Sequence, residues 1–333
     1  MIYIITLEPI EKRYTKQWYK QWKKHFPEAG YIDGFHPDYD DTIDKGSFLD
    51  IHKTHLWRAK QLESMTKLIQ EGKVKNGDKF LFMDFWNAEV ISLRYMLLCN
   101  ELDCKIFGYA HAGAYDKNDF LYRMGGGQHF VNVENGLFDC FDTIFVATNY
   151  HKRLILDNRN IREHKIVVVG FPMDFTECFK EQEAVPLGIK HKIIVFPHRL
   201  DPEKNPESFK ELQKKFPDYE FVFSMDVTNT KKEYYELLSR AKIVFSNNKQ
   251  ETFGIGVMEG LGLGCIPIVP NRLSYVELVN KAFRFDDISN VPKLIEDILN
   301  DYERNLQIAH GNYNHNNHDC LIAFKRMKME MEK

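Results

Sequence analysis

Glu251-Thr-Phe-Gly-Ile-Gly-Val-Met-Glu259 decides how this chain is read. Two carboxylates stand eight residues apart with two glycines between them. The apolar run Ala241-Lys-Ile-Val-Phe-Ser246 comes just before, and Gly262-Leu-Gly-Cys-Ile-Pro-Ile-Val269 follows. A strand that enters a glycine-containing turn and then a short helix presents bare backbone N–H groups to a phosphate. A carboxylate at each end can then accept hydroxyl groups on either side of that phosphate. This is the layout that a nucleotide-sugar site needs.

A second stretch supports it. His191-Lys-Ile-Ile-Val-Phe-Pro-His-Arg-Leu-Asp-Pro-Glu-Lys-Asn-Pro-Glu-Ser-Phe209 predicts a strand, a loop holding Arg199 and Lys204, and a helix opening near Pro206. A planar guanidinium fork and a point charge suit a diphosphate. With both stretches in view, the chain resembles the retaining glycosyltransferases of the GT-B fold. Their C-terminal halves carry an Arg-Leu-x-x-x-Lys-like loop and a Glu-x7-Glu motif. The resemblance covers residues 165 to 280 well and the first half by general plan. Phe196-Pro-His-Arg199 and Lys204-Asn-Pro-Glu-Ser-Phe209 are similar to segments of the glycosyltransferases that mannosylate queuosine in tRNA.

The resemblance implies an α/β chain of two Rossmann-like, doubly wound domains facing a central cleft, with the last helix crossing back. The expected divisions are an acceptor domain over 1–175, a donor domain over 176–318 and a terminal helix over 319–333. The apolar runs agree with such a plan. Phe80-Leu-Phe-Met83, Lys105–Tyr109, Thr143–Ala147 and Lys165–Val169 read as buried parallel strands. Helical segments fall between them at 53–72, 88–101 and 149–157. The alternation restarts at Lys192–Phe196, Tyr219–Ser224, Lys242–Phe245 and Cys265–Val269. Gly170-Phe-Pro-Met-Asp-Phe175, then Pro186 and Gly188, punctuate the boundary.

The resemblance also assigns roles. A sugar leaving a nucleoside diphosphate makes that diphosphate more negative, so fixed positive groups are required there. Arg199 and Lys204 are the expected cations, helped by N–H groups from Gly254 to Val257. Glu251 is expected to face the transferred sugar and Glu259 the ribose. Phe253, Gly254, Ile255 and Gly256 complete the donor site. Plainer readings accompany each: an ion pair of Arg199 with Asp201 or Glu203, a solvated loop lysine at 204, an N-terminal helix carboxylate favoured by the dipole at 251, a helix-surface glutamate at 259, and Gly262 and Gly264 as a helix end.

For the acceptor side, Tyr109-Ala-His-Ala-Gly113 places His111 at a strand's C-terminal edge, where α/β sites form. His111 is expected beside the transferred sugar, with a core histidine satisfied by a carbonyl as the alternative. Asp84, in Met83-Asp-Phe-Trp-Asn87, is an acceptor binder or a helix cap. Leu7-Glu-Pro-Ile-Glu11 lacks the glycine turn that many family members carry after the first strand. Lys12–Phe26 interleaves six basic residues with five aromatics. It reads as an amphipathic helix burying Tyr14, Trp18, Trp22 and Phe26. Its basic face (Lys16, Lys20, Lys23 and Lys24) suits phosphates of a nucleic acid, an anionic membrane surface or an anionic glycan.

The totals bound the rest. The chain has 333 residues, enough for two domains, and its net charge of −3 argues against a globally basic nucleic-acid binder. Six cysteines (Cys99, Cys104, Cys140, Cys178, Cys265 and Cys320) show no zinc spacing and read as reduced cytoplasmic thiols. The first residues, Met-Ile-Tyr-Ile-Ile-Thr, read as a strand rather than a signal peptide, and no apolar run approaches the ~18 residues that span a bilayer. Asp38-Tyr-Asp-Asp41 reads as a solvated turn rather than a metal motif, and His310, His315 and His318 as part of an Asn-rich surface loop rather than a metal cluster.

The expected protein is therefore a metal-independent hexosyltransferase. Its co-substrate is a UDP- or GDP-sugar, with no other cofactor. The expected acceptor is a modified base in DNA or tRNA, since phage enzymes that glucosylate hydroxymethylated DNA bases share this two-domain fold. A glycan or lipid-linked acceptor is the second reading. A sugar-nucleotide epimerase or a non-catalytic binding module is the alternative from another class.

Overall fold

The continuous apolar runs form two wholly parallel sheets in the computed structural model, which describes residues 1–37, 39–42, 50–184 and 188–333. Gly125, Gly126 and Gly127 are described by backbone alone.

The first sheet holds β1 (Ile2–Ile5), β2 (Gly30–Ile32), β3 (Lys79–Phe82), β4 (Lys105–Tyr109), β5 (Thr143–Val146) and β6 (Ile166–Val168). Their order is β2-β1-β3-β4-β5-β6. Ile4 pairs with Leu81 and Leu81 with Phe107, so the central strands run apolar on both faces. Around it lie α1 (Tyr14–His25), α2 (Ile51–Gln70), α3 (Glu89–Cys99), α4 (Gly127–Cys140) and α5 (Asn149–Asn158). Parallel strands need such crossovers, and helices on the faces exclude water from the sheet.

The second sheet holds β7 (His191–Phe196), β8 (Glu220–Phe223), β9 (Ala241–Phe245), β10 (Ile266–Pro270) and β11 (Arg284–Phe285), in the order β11-β10-β9-β7-β8. With it go α6 (Phe175–Glu181), α7 (Pro206–Gln213), α8 (Ser224–Val227), α9 (Lys231–Arg240), α10 (Ile255–Gly262), α11 (Tyr275–Leu278), α12 (Val291–Asn300) and α13 (Tyr302–Glu332).

Each sheet reverses its strand order once, between β1 and β3 in the first and between β7 and β9 in the second. A crevice opens outside the carboxyl ends of the strands at such a point, and ligands of open α/β sheets bind there.

The chain divides into one unit of Met1–Gly170 with Phe324–Lys333 and another of Phe171–Ala323. The first division falls after Gly170 rather than after residue 175, because Phe171 stacks on Phe253 at 4.8 Å between ring centres. The last residues join the first unit because Phe324 packs edge-on against Trp22 at 5.8 Å and Arg326 donates to the Val169 carbonyl at 3.2 Å.

One expected loop is a helix. His310 to His318 lies inside α13. Its asparagines are used as long-range hydrogen-bonding groups. Asn312 and Asn316 both donate to the Leu278 carbonyl, at 2.9 and 2.6 Å, and Asn317 accepts from the Phe175 N–H at 3.2 Å. Composition alone reports the poor helix propensity of Asn. The partners that override it lie more than thirty residues away in the chain.

Candidate functional site

The donor-side residues gather at the switch point of the second sheet. Beyond β7 the chain turns through Pro197-His198-Arg199, makes one 3-10 turn at Pro202–Lys204, and enters α7 at Pro206. Asn205 takes the left-handed conformation (φ 56°) that joins the two. Beyond β9 the chain runs through Asn247–Gln250 to Glu251, then into α10.

Lys204 bridges these loops. It is 8% exposed, and its Nζ donates to the Gln250 carbonyl at 3.0 Å and lies 3.3 Å from Glu251 Oε2. It is therefore no solvated loop lysine. Arg199 is held by Asp201 at 3.1 Å and Glu203 at 3.3 Å, the plainer arrangement foreseen for it. His198 beside them is buried. Burial holds its pKa well below the usual range, and the charges of Lys204 and Arg199 add to the effect.

Gly254 opens α10 with φ 93°, and a Cβ there would stand 2.9 Å from the Tyr275 ring. Only glycine suits that position. The Val257 N–H, expected among the phosphate donors, is already bonded to the Gly254 carbonyl at 3.0 Å. The N–H groups of Ile255 and Gly256 remain at the helix start, where orphan donors and the helix dipole favour an anion. A Cβ on Gly256 would lie 3.1 Å from the Pro197 carbonyl oxygen, so α10 begins flush against the loop that carries Arg199. Phe253 turns its ring inward and stacks on Phe171 and Phe175. It can offer the site its backbone alone.

Glu259 is not on the helix surface. It is 2% exposed, and its Oε1 meets Lys231 Nζ at 2.5 Å and the Tyr235 hydroxyl at 2.9 Å. Gly262 serves close packing: a Cβ there would lie 2.4 Å from Phe179 and 2.6 Å from Tyr313. Gly264, at φ 82°, ends the turn as expected. Asn248, Lys231, Tyr235 and Tyr275 carry no signal in the sequence that points to the site. Thr230-Lys-Lys-Glu233 is a legible capping box and fixes the start of α9. It does not reveal that Lys231 faces Glu259.

In the first unit, two acceptor-side candidates, His111 and Asp84, meet at the carboxyl ends of neighbouring strands. His111 donates from Nε2 to the Met83 carbonyl at 2.8 Å, which leaves Nδ1 to accept the Tyr14 hydroxyl at 3.2 Å. Burial lowers its pKa, with the Asp84 charge opposing. The imidazole is thus neutral and fixed, the alternative foreseen for it. Asp84 accepts the Trp86 N–H at 3.1 Å and stands 3.8 Å from Arg58. It does not cap α3. The Asn87 side chain accepts the Glu89 N–H there, at 3.0 Å. Glu8, next to the same crevice, has its carboxyl raised by burial, with Thr54 and Arg58 opposing.

Helix α1 buries Trp18, Trp22 and Phe26, while Tyr14 is half-buried on His111. Lys16 departs from expectation. It is half-buried and paired with Glu11 from the loop before α1 and Asp41 from the segment after β2. Lys20, Lys23 and Lys24 are exposed, with Lys23 Nζ 4.4 Å from the centre of the Tyr19 ring. Asp38 lies outside the described residues. Asp40 binds Lys53 at 2.7 Å and Asp41 binds Lys16 at 3.2 Å, so each is occupied by a lysine.

Among the described residues, no three His, Cys, Asp or Glu side chains are grouped to hold a metal ion, and no helix is long and apolar enough to cross a membrane. His315 stands 3.5 Å from Asp319, one turn along the same helix.

No protein-family model matches the chain. A tRNA-queuosine alpha-mannosyltransferase of Drosophila melanogaster is 28% identical over 152 residues, which cover 36% of this chain and 40% of that protein. The chain thus spans well under half of that relative's length. Among solved structures, a sucrose-phosphate synthase from Thermosynechococcus elongatus superimposes with a TM-score of 0.69 at 11% identity, covering 99% of this chain and 98% of its own. A trehalose-6-phosphate structure from E. coli bound with UDP-2-fluoro glucose gives 0.67 at 9% identity, covering 100% and 99%. Likeness at such low identity speaks for architecture. With its two parallel sheets and two Rossmann-like units, this chain has the GT-B glycosyltransferase fold.

Proposed function

We propose that the chain is a retaining glycosyltransferase that moves a hexose from a UDP- or GDP-sugar to a hydroxyl on a modified base in nucleic acid. The observation that carries this reading is the meeting of Lys204 and Glu251 across the β7–β9 switch point, 3.3 Å apart, beside the open N-terminus of α10. A cation for the leaving diphosphate and a carboxylate for the sugar stand side by side there.

In this reading the bond from the sugar to the diphosphate lengthens first. Lys204, the N–H groups of Ile255 and Gly256, and Arg199 once drawn from Asp201 and Glu203 meet the growing negative charge. Glu251 accepts hydroxyls of the sugar. Glu259, fixed by Lys231 and Tyr235, is assigned to the ribose. The acceptor hydroxyl attacks, its proton leaves with the diphosphate, and the sugar keeps its configuration. His111 and Asp84 line the acceptor side. Lys20 and Lys23, with Lys16 once freed from its carboxylates, meet acceptor phosphates.

The name of the Drosophila relative supports a nucleic-acid acceptor, and the UDP-2-fluoro glucose of the E. coli structure supports a nucleotide-sugar donor. Six cysteines without a disulfide fit work in the cytoplasm. The test is incubation with a panel of nucleotide sugars and separate pools of DNA, tRNA and glycans, read by mass shift. A hexose-sized mass gain on a nucleic-acid pool is expected. Gain on glycans alone would move the acceptor to the second reading. A changed sugar nucleotide without any acceptor gain would indicate an epimerase.

A further inference from the structure

The loop after β10 touches the loop that carries Glu251, and none of the donor-side roles above accounts for it. Arg272 extends from this loop over Asn247 and Asn248. Its Nη2 donates to Asn247 Oδ1 at 2.9 Å and to the Asn248 carbonyl at 3.0 Å, with Nη2 to the Asn247 carbonyl at 3.5 Å and Nε to the Asn248 carbonyl at 3.3 Å. No carboxylate pairs with it among the described residues, so its fork is given to these two residues. Asn248 is fully buried, and its Nδ2 donates to Glu251 Oε2 at 3.1 Å. The same amide meets the Tyr275 hydroxyl at 3.3 Å, which in turn lies 2.9 Å from Ser246 Oγ. Ser246 and Tyr275 are fully buried as well.

Between Arg272 and Tyr275 the backbone is strained. Leu273 holds φ 60°, a left-handed conformation that a leucine adopts only when its surroundings compel it. The strained turn sets Arg272 and Tyr275 on either side of Asn248. A carboxylate that must accept hydroxyls in one orientation gains from such supports.

We propose that Arg272 and Tyr275 are positioning residues that act through Asn248 to fix the Glu251 carboxylate for the transferred sugar. The inference rests on the glycosyltransferase reading and deepens it: the brace serves the sugar and leaves the nucleotide untouched.

The experiment is a double-mutant cycle on the full chain. Arg272→Met, Tyr275→Phe and Glu251→Gln are compared with the native protein, singly and in pairs with Glu251→Gln. Binding of UDP and GDP is measured by calorimetry, and turnover of UDP-glucose and GDP-mannose, with the DNA and tRNA pools as acceptors, by release of UDP and GDP. Misplacing a reacting partner by about 1 Å costs on the order of 100-fold in rate. Arg272→Met and Tyr275→Phe are each expected to lower kcat by roughly tenfold to 100-fold. Nucleotide affinity should stay within about twofold of native, and neither change should lower kcat further once Glu251→Gln is present. Arg272→Lys, which lacks the fork, should recover only part of the rate. Full additivity with Glu251→Gln, native kcat in both single variants, or a parallel loss of nucleotide affinity would each overturn the proposal. Failure of the broader reading is seen separately, as a native protein that binds and turns over none of these nucleotides.

Discussion

Lys204 Nζ and Glu251 Oε2 lie 3.3 Å apart although the two residues are 47 positions apart in the chain. Each comes from a loop at the carboxyl end of a different strand. The pair exists because β7 and β9 are neighbours in the sheet while β8 lies on the far side of β7. That neighbourhood makes the two side chains testable as one unit. Lys204→Ala and Glu251→Ala are each expected to lower sugar transfer by about 100- to 1,000-fold, the scale for removing a charged group that stabilises a transition state. Circular dichroism should report an intact fold in both, and native turnover in both would refute the site.

In the ion pair between Lys231 and Glu259 the carboxylate is buried and the lysine half-buried, so removing the lysine strands a buried charge. Lys231→Met should destabilise the second unit by about 3–5 kcal/mol. Adding Glu259→Gln should cost less than the sum of the two single changes, because no charge is then left alone. Urea unfolding of the three variants reads this directly.

Two glycines should resist a single methyl group for different reasons. Gly254→Ala meets both a left-handed backbone and the Tyr275 ring, and should lower stability by roughly 1–3 kcal/mol and turnover with it. Gly262→Ala presses on Phe179 and Tyr313, neither of them a proposed donor residue. It should cost about 1–3 kcal/mol of stability with a much smaller loss of turnover per folded molecule. Thermal melts paired with turnover assays separate the two.

Acid sensitivity follows from buried neutral histidines. His151 Nε2 and the Tyr115 hydroxyl are hydrogen-bonded at 2.6 Å, and burial lowers the histidine's pKa from 6.5 to about 3. Between those values the unfolded chain binds a proton that the folded chain refuses. Stability therefore rises with pH across this window, is fully present above about 6.5, and is lost as pH falls toward 3. His198 and His111 shift the same way. Each such group steepens the acid limb by up to about 1.4 kcal/mol per pH unit. His151→Gln should reduce the slope of unfolding free energy against pH by about one proton, even though removing the hydrogen bond from Tyr115 lowers stability throughout.

The exposed lysines of α1 give a salt-dependent prediction. Lys20→Gln with Lys23→Gln should weaken nucleic-acid binding. The slope of log affinity against log salt should become shallower by about 0.7–0.9 for each phosphate that is no longer neutralised. Lys16→Gln should do less, since Glu11 and Asp41 already hold that charge. Affinities measured at 50 and 200 mM salt for DNA and tRNA check both statements. An unchanged slope returns α1 to a purely structural role.

The sequence by itself determined the elements and the motif positions. Apolar runs of four to six residues, separated by helical segments, announced two parallel sheets because burial on both faces leaves no alternation to see. Glu251, Glu259, Arg199 and Lys204 were singled out because the Arg-Leu-x-x-x-Lys-like loop and the Glu-x7-Glu spacing, each after a strand, resemble those of a known family. The tertiary structure alone decided their partners. Lys204 turned to Glu251 and Glu259 to Lys231, whereas the local pairs of Arg199 with Asp201 and Glu203 were already open to the sequence. It also turned an asparagine-rich segment into helix by giving Asn312 and Asn316 the Leu278 carbonyl. The physical reason is range. Periodicity and capping act within a few residues, whereas a side chain's charge partner is set by which strands lie side by side.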